Sequence, residues 1–311
     1  MITDYGFKNV VVETELITQA GYTLQTAQCK TAAEVLEYGR DAVALLVQWA
    51  PVTAEVIAAL SQCRIIVRYG IGVDNIDLEA AKKKGIVVCN VPDYCIAEVA
   101  DHTVALAFAL ARQLTQTHNR TASGEWKIIP PNPALPFYEM TFATIGFGRI
   151  AREVFKRVSP FGFKKMAYDP FVNAEQMQAH GVACAGFDEL IQQADIISLH
   201  MPLTADTHHL INTAVLHKMK PGAILVNTSR GALIDTVALA QKLKEGNLSA
   251  ALDVYEKEPL PTDHPLMHCD NTILTSHTAW YSEKSVPTLQ RMAAEELVRG
   301  LTTGNVNNRV A

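Results

Sequence analysis

Charge, cysteine and long apolar runs are all in short supply in this chain of 311 residues. Charged residues make up 19%, with 27 basic against 32 acidic side chains. The one basic run, Lys82-Lys83-Lys84, reads as a solvated helix end, so nothing outlines a nucleic-acid surface. Six cysteines (29, 63, 89, 95, 184 and 269) are scattered, with no Cys-x-x-Cys pair. They read as reduced thiols of a cytoplasmic protein rather than a disulfide framework. No stretch approaches the ~18 apolar residues of a membrane span. Met1 to Val12 lacks the charged start and apolar stretch of a signal peptide. His208-His209 and the group His264, His268 and Cys269 fall short of a four-ligand set, so no metal is expected. The expectation is a cytoplasmic protein with neither nucleic acid nor membrane as a partner.

What is present is core material in an alternating pattern. Hydrophobic residues make up 49%, and the length allows two domains of ordinary size. Val10-Val11-Val12 or its neighbours, and residues 42–47, 65–67 and 86–88, read as strands. Residues 33–38, 53–60 and 78–84 show helical spacing, with Thr53 as a cap. Such alternation predicts a parallel sheet covered on both faces. Residues 97–114 are apolar on nearly every side and predict one long buried helix, set between domains or subunits. A Pro-rich connector occupies residues 129–136. Strands are then expected near Ala183 and at 196–199, 223–226, 250–253 and 272–274, with a last helix over 282–301.

One stretch of this second run carries a chemical signature. An apolar strand closes on Ala143-Thr144-Ile145, and Gly146-Phe147-Gly148-Arg149-Ile150-Ala151 opens a helix. A second strand then ends at Asp169. Strand, glycine turn, helix and acid in that order form a dinucleotide-binding fingerprint, with Ala in its third glycine position. Gly146 allows the tight turn, Gly148 lets the backbone approach a pyrophosphate, and the helix N-terminus offers N–H groups. Asp169 is placed to accept from the adenine-ribose hydroxyl and to repel a 2′-phosphate, which favours NAD over NADP.

A nucleotide domain that starts in mid-chain predicts an insertion. The expected fold is α/β with two doubly wound parallel-sheet domains. A flavodoxin-like substrate domain (1–97 and 282–311) would carry an inserted Rossmann NAD-binding domain (98–281), with ligands bound beyond the carboxyl ends of the strands. Three polar groups follow predicted strand ends in the second run. Arg230 stands on the turn Val226-Asn227-Thr228-Ser229-Arg230-Gly231, where its planar fork suits a carboxylate. Glu258 lies in a pre-proline loop after Asp253, and His277 follows the last strand. Reduction of a 2-oxo acid by hydride needs a cation for the carboxylate, a proton donor for the carbonyl oxygen, and a group that favours the charged imidazole. Arg230, His277 and Glu258 supply one candidate for each.

With those residues in place, the chain resembles the D-2-hydroxyacid dehydrogenase family over almost its whole length. The matching segments include Val67-Arg68-Tyr69-Gly70-Ile71-Gly72-Val73-Asp74-Asn75-Ile76-Asp77, the glycine turn, and Leu199-His200-Met201-Pro202-Leu203-Thr204. Asn227-Thr228-Ser229-Arg230-Gly231, Leu252-Asp253-Val254 and Ser276-His277-Thr278-Ala279 complete the set. The resemblance implies NAD as cofactor and a small 2-hydroxy or 2-oxo acid as substrate. Arg230 would clamp the substrate, His277 would act as acid–base, and Glu258 would support it. Backbone N–H groups of Tyr69, Gly70 and Ile71 would face the substrate carboxylate. Cofactor contacts are implied for Thr103, Gly146, Phe147, Gly148, Arg149, Ile150, Asp169, His200, Pro202, Thr207, Thr228, Ser229 and Asp253. A homodimer through the cofactor domains is implied as well.

Within the family, Ala279-Trp280-Tyr281-Ser282-Glu283 is similar to the subgroup of C-terminal binding proteins. Trp280 would then line a substrate pocket suited to an apolar or thioether side chain. Thr141-Phe142-Ala143-Thr144-Ile145 replaces the family's more glycine-rich strand, and Ser276 stands where proline is usual. With Ala311 as the last residue, the regulatory C-terminal domain of long phosphoglycerate dehydrogenases is not expected. The rival to a dehydrogenase is an NAD(H)-sensing interaction protein with little turnover. Formate or phosphite oxidation in the same fold is disfavoured, because formate leaves no proton for a His277–Glu258 pair to remove.

Overall fold

The computed structural model describes residues 1–130 and 132–311. Pro131, part of the expected connector, lies outside the described residues. The chain divides into two compact units, Met1–Cys95 with Tyr281–Ala311, and Ile96–Trp280.

The first unit opens with α1 (Val11–Gln19), α2 (Ala32–Gly39), β1 (Ala44–Val47), α3 (Ala54–Ala59), β2 (Ile65–Arg68), α4 (Leu78–Lys84) and β3 (Val87–Cys89). The three strands pair in parallel in that order. Ile2 bridges in parallel to both Leu46 and Thr26. The sheet therefore continues as Thr26, Ile2, β1, β2, β3, the 2-1-3-4-5 order of one doubly wound class. Leu45 and Leu46 in β1, and Ile66 and Val67 in β2, are fully buried although adjacent residues point to opposite faces, as strands covered on both faces must be. The Thr53 side chain accepts from Val56 N and starts α3 as expected. The basic run turns out to have a structural use: Lys84 Nζ donates to the carbonyls of Ile57 and Ala58, each at 2.6 Å, at the C-terminal end of α3.

The strand expected at Val10–Val12 is instead the start of α1. Glu13 and Ile17, four residues apart, are its buried positions. Burial at i and i+4 outweighs the β preference of three consecutive valines.

The second unit contains α5 (Ile96–Ala111), α6 (Leu114–Ala122), β4 (Thr141–Ile145), α7 (Arg149–Val158), β5 (Lys164–Tyr168), α8 (Ala174–Gln178) and β6 (Ala183–Cys184). It continues with α9 (Phe187–Gln193), β7 (Ile196–Leu199), α10 (Thr213–Lys218), β8 (Ala223–Asn227), α11 (Thr236–Lys244), β9 (Leu248–Leu252) and β10 (Thr272–Leu274). All seven strands are parallel, in the order β10-β9-β8-β7-β4-β5-β6. The winding direction reverses between β4 and β7, where an open α/β sheet binds its ligand.

The register is informative. Tyr168, Ile145, Leu199, Asn227, Leu252 and Leu274 are paired in one continuous row across β5, β4, β7, β8, β9 and β10. Asp169, Gly146, His200, Thr228, Asp253 and Thr275 therefore all leave the sheet one residue beyond the same line. Residues far apart in sequence share an edge for this reason.

The single long helix expected over 97–114 is broken. α5 ends at Ala111, Gln113 takes a left-handed φ of 51°, and α6 begins at Leu114. The Gln113 amide is committed to tertiary bonds: its Nε2 donates to Asn132 O at 2.7 Å and its Oε1 accepts from Asn132 N at 3.0 Å. Nor is α5 buried all round. Val99, Thr103, Leu106 and Leu110 form its buried stripe, while Asp101 and Ala105 are exposed. Asp101 pairs with Arg157 of α7.

The last helix, α12 (Ser285–Thr303), belongs to the first unit and packs on α1 and β2. Beyond it the chain returns to β3, where Arg309 bridges Cys89 in antiparallel fashion. Among the described residues no helix is long and apolar enough to cross a membrane.

Candidate active site

Gly146 has φ +96°, and a Cβ there would lie 2.3 Å from His200 O. Backbone sterics and the neighbouring strand end both demand glycine. Its N–H donates to Tyr168 O at 2.8 Å, and the buried Thr144 hydroxyl donates to Gly146 O at 2.8 Å. Thr144 thus supports the turn in a strand where glycine is more usual, a role the sequence pattern did not indicate. Gly148 is the N-cap of α7, which no side chain caps. A Cβ on Gly148 would meet no protein atom within 4 Å. An uncapped helix start beside open space fits a pyrophosphate, with Arg149 and Ile150 as its first helical residues.

Asp169 is built into this turn. Its Oδ2 accepts from Phe147 N at 2.8 Å and its Oδ1 from Phe171 N at 2.9 Å. Phe147 is among the residues that the resemblance implies as cofactor contacts. Its ring is buried among Phe155 and other core residues, and its N–H is spent on Asp169. It shapes the turn from behind.

His200 Nε2 lies 2.9 Å from Ser198 Oγ, and burial pushes its imidazole pKa down to about 3, so the ring is neutral. The Thr207 hydroxyl donates to Pro202 O at 2.8 Å and accepts from Thr204 N at 2.7 Å, closing the turn after β7. Thr103 donates to Val99 O at 2.7 Å, and its hydroxyl lies 2.9 Å from that of Thr228.

The catalytic candidates converge from three loops. After β8, the Asn227 side chain pins the turn: Nδ2 donates to Arg230 O at 2.8 Å, and Oδ1 accepts from Ser229 N at 3.0 Å. Ser229 Oγ donates to Leu199 O at 2.6 Å. Arg230 Nη1 donates to Ser229 O at 2.7 Å. Glu258 Oε2 and His277 Nδ1 are 2.7 Å apart, and Glu258 Oε1 accepts from Tyr255 N at 3.0 Å. Burial acts to raise the Glu258 carboxyl. The His277 contact, the Tyr255 N–H and the Arg230 charge outweigh it and hold the group below its ordinary value. With Nδ1 committed, Nε2 is the His277 nitrogen left for a substrate oxygen.

The histidine loop is held by Asp253, fully buried at the end of β9. Its Oδ1 accepts from Thr275 Oγ1 at 2.5 Å and Thr278 N at 2.9 Å, and its Oδ2 from Ala279 N at 2.9 Å. His277 N donates to Asp253 O at 2.8 Å, and His277 has a φ of 55°. Left-handed backbone at a non-glycine residue persists only where its surroundings impose it. Trp280 Nε1 donates to His277 O at 2.9 Å, so the indole is fastened to the same loop.

In the first unit, two of the three N–H groups expected to face a carboxylate are already used. Tyr69 N donates to Val47 O at 2.8 Å and Gly70 N to Arg68 O at 2.9 Å, because the loop turns tightly on leaving β2. Gly70 has φ +140°, and a Cβ there would run into the Arg68 guanidinium. The Tyr69 ring is buried, with its hydroxyl 2.9 Å from Glu13 Oε1. Among the described residues there is no group of three His, Cys, Asp or Glu placed to hold a metal.

Comparison with known proteins places this geometry. Residues 104–279 match the model of the D-isomer specific 2-hydroxyacid dehydrogenase NAD-binding domain. A D-3-phosphoglycerate dehydrogenase of Methanocaldococcus jannaschii is 40% identical over 291 residues, covering 92% of this chain and 55% of the relative. A glyoxylate reductase of Korarchaeum cryptofilum is 38% identical over 266 residues, covering 83% of this chain and 80% of that one. The crystal structure of D-lactate dehydrogenase from Aquifex aeolicus, complexed with NAD and lactic acid, superposes with a TM-score of 0.89. It is 29% identical and covers 99% of this chain and 98% of its own. The chain spans about half the length of the phosphoglycerate dehydrogenases it matches.

Proposed function

The chain belongs to the D-isomer specific 2-hydroxyacid dehydrogenases, and we propose that it is an NAD-dependent oxidoreductase interconverting a D-2-hydroxy acid and its 2-oxo acid. The observation that carries this reading is the 2.7 Å contact between His277 and Glu258, in a loop system that also holds Arg230. When bound, the nicotinamide supplies or accepts a hydride at the second carbon of the acid. Arg230 fixes the substrate carboxylate through its planar fork. Protonated His277 donates from Nε2 to the carbonyl oxygen during reduction and recovers the proton during oxidation. Glu258 orients the imidazole through its contact with Nδ1.

The glycine turn and the start of α7 take the pyrophosphate, through Gly146, Gly148, Arg149 and Ile150. Asp169 accepts from the adenine ribose and disfavours a 2′-phosphate. The turns bearing His200, Pro202 and Thr207 serve the adenine side. Thr103, Thr228, Ser229 and Asp253 serve the nicotinamide side, Asp253 chiefly by holding the loop of His277. In the first unit, read as the substrate domain, Ile71 supplies the remaining N–H of its loop for the substrate carboxylate. Trp280 favours an apolar or thioether side chain on the substrate, the trait that links the chain to the C-terminal binding proteins. The protein is proposed to be a cytoplasmic homodimer. Trp126, Ile128 and Ile129 of the second unit, between 79% and 92% exposed, support the pairing.

Rates on pyruvate, glyoxylate, phosphohydroxypyruvate and a longer thioether oxo acid, with NADH and NADPH, test the assignment. Turnover of one of these acids with NADH is expected, and His277→Ala and Arg230→Ala each abolish it while NADH still binds. Retained turnover in both variants defeats the assignment. Negligible rates on every acid would favour the NAD(H)-sensing alternative. Sedimentation equilibrium reads the dimer.

A further inference from the structure

Glu256 stands two residues before Glu258 and takes no part in the chemistry above. Its carboxylate joins separate stretches of the second unit. Oε2 lies 2.8 Å from His209 Nε2, on the loop that follows Pro202 and Thr207. Oε1 accepts from Thr236 N at 3.1 Å and from Thr236 Oγ1 at 2.6 Å, at the start of α11. His209 is itself held in place, with φ 49° and its N–H on Ala232 O at 2.8 Å.

Both ends of the bridge lead back to the reacting groups. Ala232 and Thr236 follow the Arg230 turn within six residues of chain. Next to Arg230, Gly231 meets the Glu256 loop backbone to backbone. A Cβ on Gly231 would lie 1.9 Å from the carbonyl carbon of Tyr255 and 2.3 Å from Glu256 N. On the other side, Tyr255 N donates to Glu258 Oε1 at 3.0 Å, and Tyr255 Oη donates to Thr275 O at 2.9 Å. The Glu256 carboxylate is therefore the side-chain anchor of the segment that presents Glu258 to His277. Burial acts to raise its carboxyl, and the Thr236 and His209 contacts hold it below the ordinary value instead.

We propose that Glu256 is a positioning residue for the reaction: by fastening its loop to Thr236 and His209, it sets Glu258 against His277 and keeps that loop on the Arg230 turn. This role rests on the parts assigned above to Arg230, Glu258 and His277. A carboxylate suits it because both oxygens accept, whereas an amide offers one acceptor and one donor. The titratable and charged groups facing the two glutamates are His209, His264 through Thr236, His277 and Arg230, with Asp253 and Tyr255 from their own loop. His208 stacks on His209 with ring centroids 4.1 Å apart.

The test measures NADH-dependent reduction, across pH, of the acid in the panel that is reduced fastest. Glu256→Ala is expected to lower kcat about tenfold, an ordinary share of acid–base catalysis. It should also move the high-pH limb of the reduction profile, because it disturbs the His277–Glu258 pair that handles the proton. Glu256→Gln, which keeps an acceptor for Thr236, recovers part of both effects. A merely structural role would lower melting temperature and active fraction but leave the pH profile in place.

His209→Asn, which tolerates the left-handed backbone, carries the test with a smaller shift should Glu256→Ala fail to fold. Folded Glu256→Ala and His209→Asn proteins with unchanged kcat and unchanged pH profile overturn the role. Glu258→Gln is measured alongside. If it too leaves kcat and the profile unchanged, the reading of the site itself has failed. If it alone changes them, only the part given to Glu256 has.

Discussion

Two carboxylates, one in each unit, show how differently this fold spends a negative charge. Glu13 in α1 is fully buried. It accepts from the Tyr69 hydroxyl at 2.9 Å and from Gln290 Nε2 at 3.1 Å to each oxygen. Glu258 in the second unit keeps about a third of its side chain in solvent and faces an imidazole. Neutral donors locked in a core make Glu13 an architectural group tying α1, α12 and β2 together. A titratable, half-exposed partner makes Glu258 a chemical one. Proton traffic needs a neighbour that can change its charge and a path to solvent, and only the second site has both.

The contrast predicts opposite phenotypes. Glu13→Ala should cost about 3 kcal/mol of stability, since it leaves buried donors on Tyr69 and Gln290 unpaired. Urea unfolding of the variant reads that cost, and a loss under about 1 kcal/mol would erase the distinction. Glu258→Gln should lower kcat about 100-fold yet shift the unfolding midpoint little, because a solvent-screened pair contributes little to stability. A large stability loss in that variant would make Glu258 architectural as well.

A comparison of the two turn glycines sharpens the cofactor side. Gly148→Ala should fold normally, because no protein atom lies within 4 Å of the new methyl. It should weaken NADH binding about tenfold if that space takes the pyrophosphate. Unaltered affinity in a fluorescence titration would place the pyrophosphate elsewhere.

The smallest effect concerns pH. Glu258 is held below the carboxyl value of 4.5, so its pairing contributes above that value and is lost as pH falls through the lower folded value. Acid unfolding of Glu258→Gln should therefore be less steep than that of the unaltered protein only below about pH 4.5. A difference in slope near neutrality would contradict the direction of the shift.

Much of the site was legible along the chain because parallel α/β sheets place chemistry one step past strand ends. Apolar runs closing on Ile145 and Leu252 announced Gly146 and Asp253, and the last strand announced His277, with little need of distant information. Strand assignment failed at Val10–Val12, where local β preference lost to burial against α12. The break at Gln113 was equally invisible, because its cause is an amide pair with Asn132, 19 residues away. Phe147 looked like a cofactor contact from its place in the glycine motif. Which way a turn residue points depends on the core behind it, and that core includes Val154 and Phe155.

The linear order of residues determined the fold class, the glycine turn and the chemical types available at the strand ends, since periodicity and turn sterics act over a few neighbours. Tertiary structure alone decided which of those groups are free to react. It spent the N–H groups of Phe147, Tyr69 and Gly70 on the scaffold, gave Asp253 to the histidine loop, and brought Glu258 to 2.7 Å from His277. Hydrogen bonds saturate, so each donor and acceptor used to close the fold is withdrawn from chemistry, and that accounting exists only once the strands are in register.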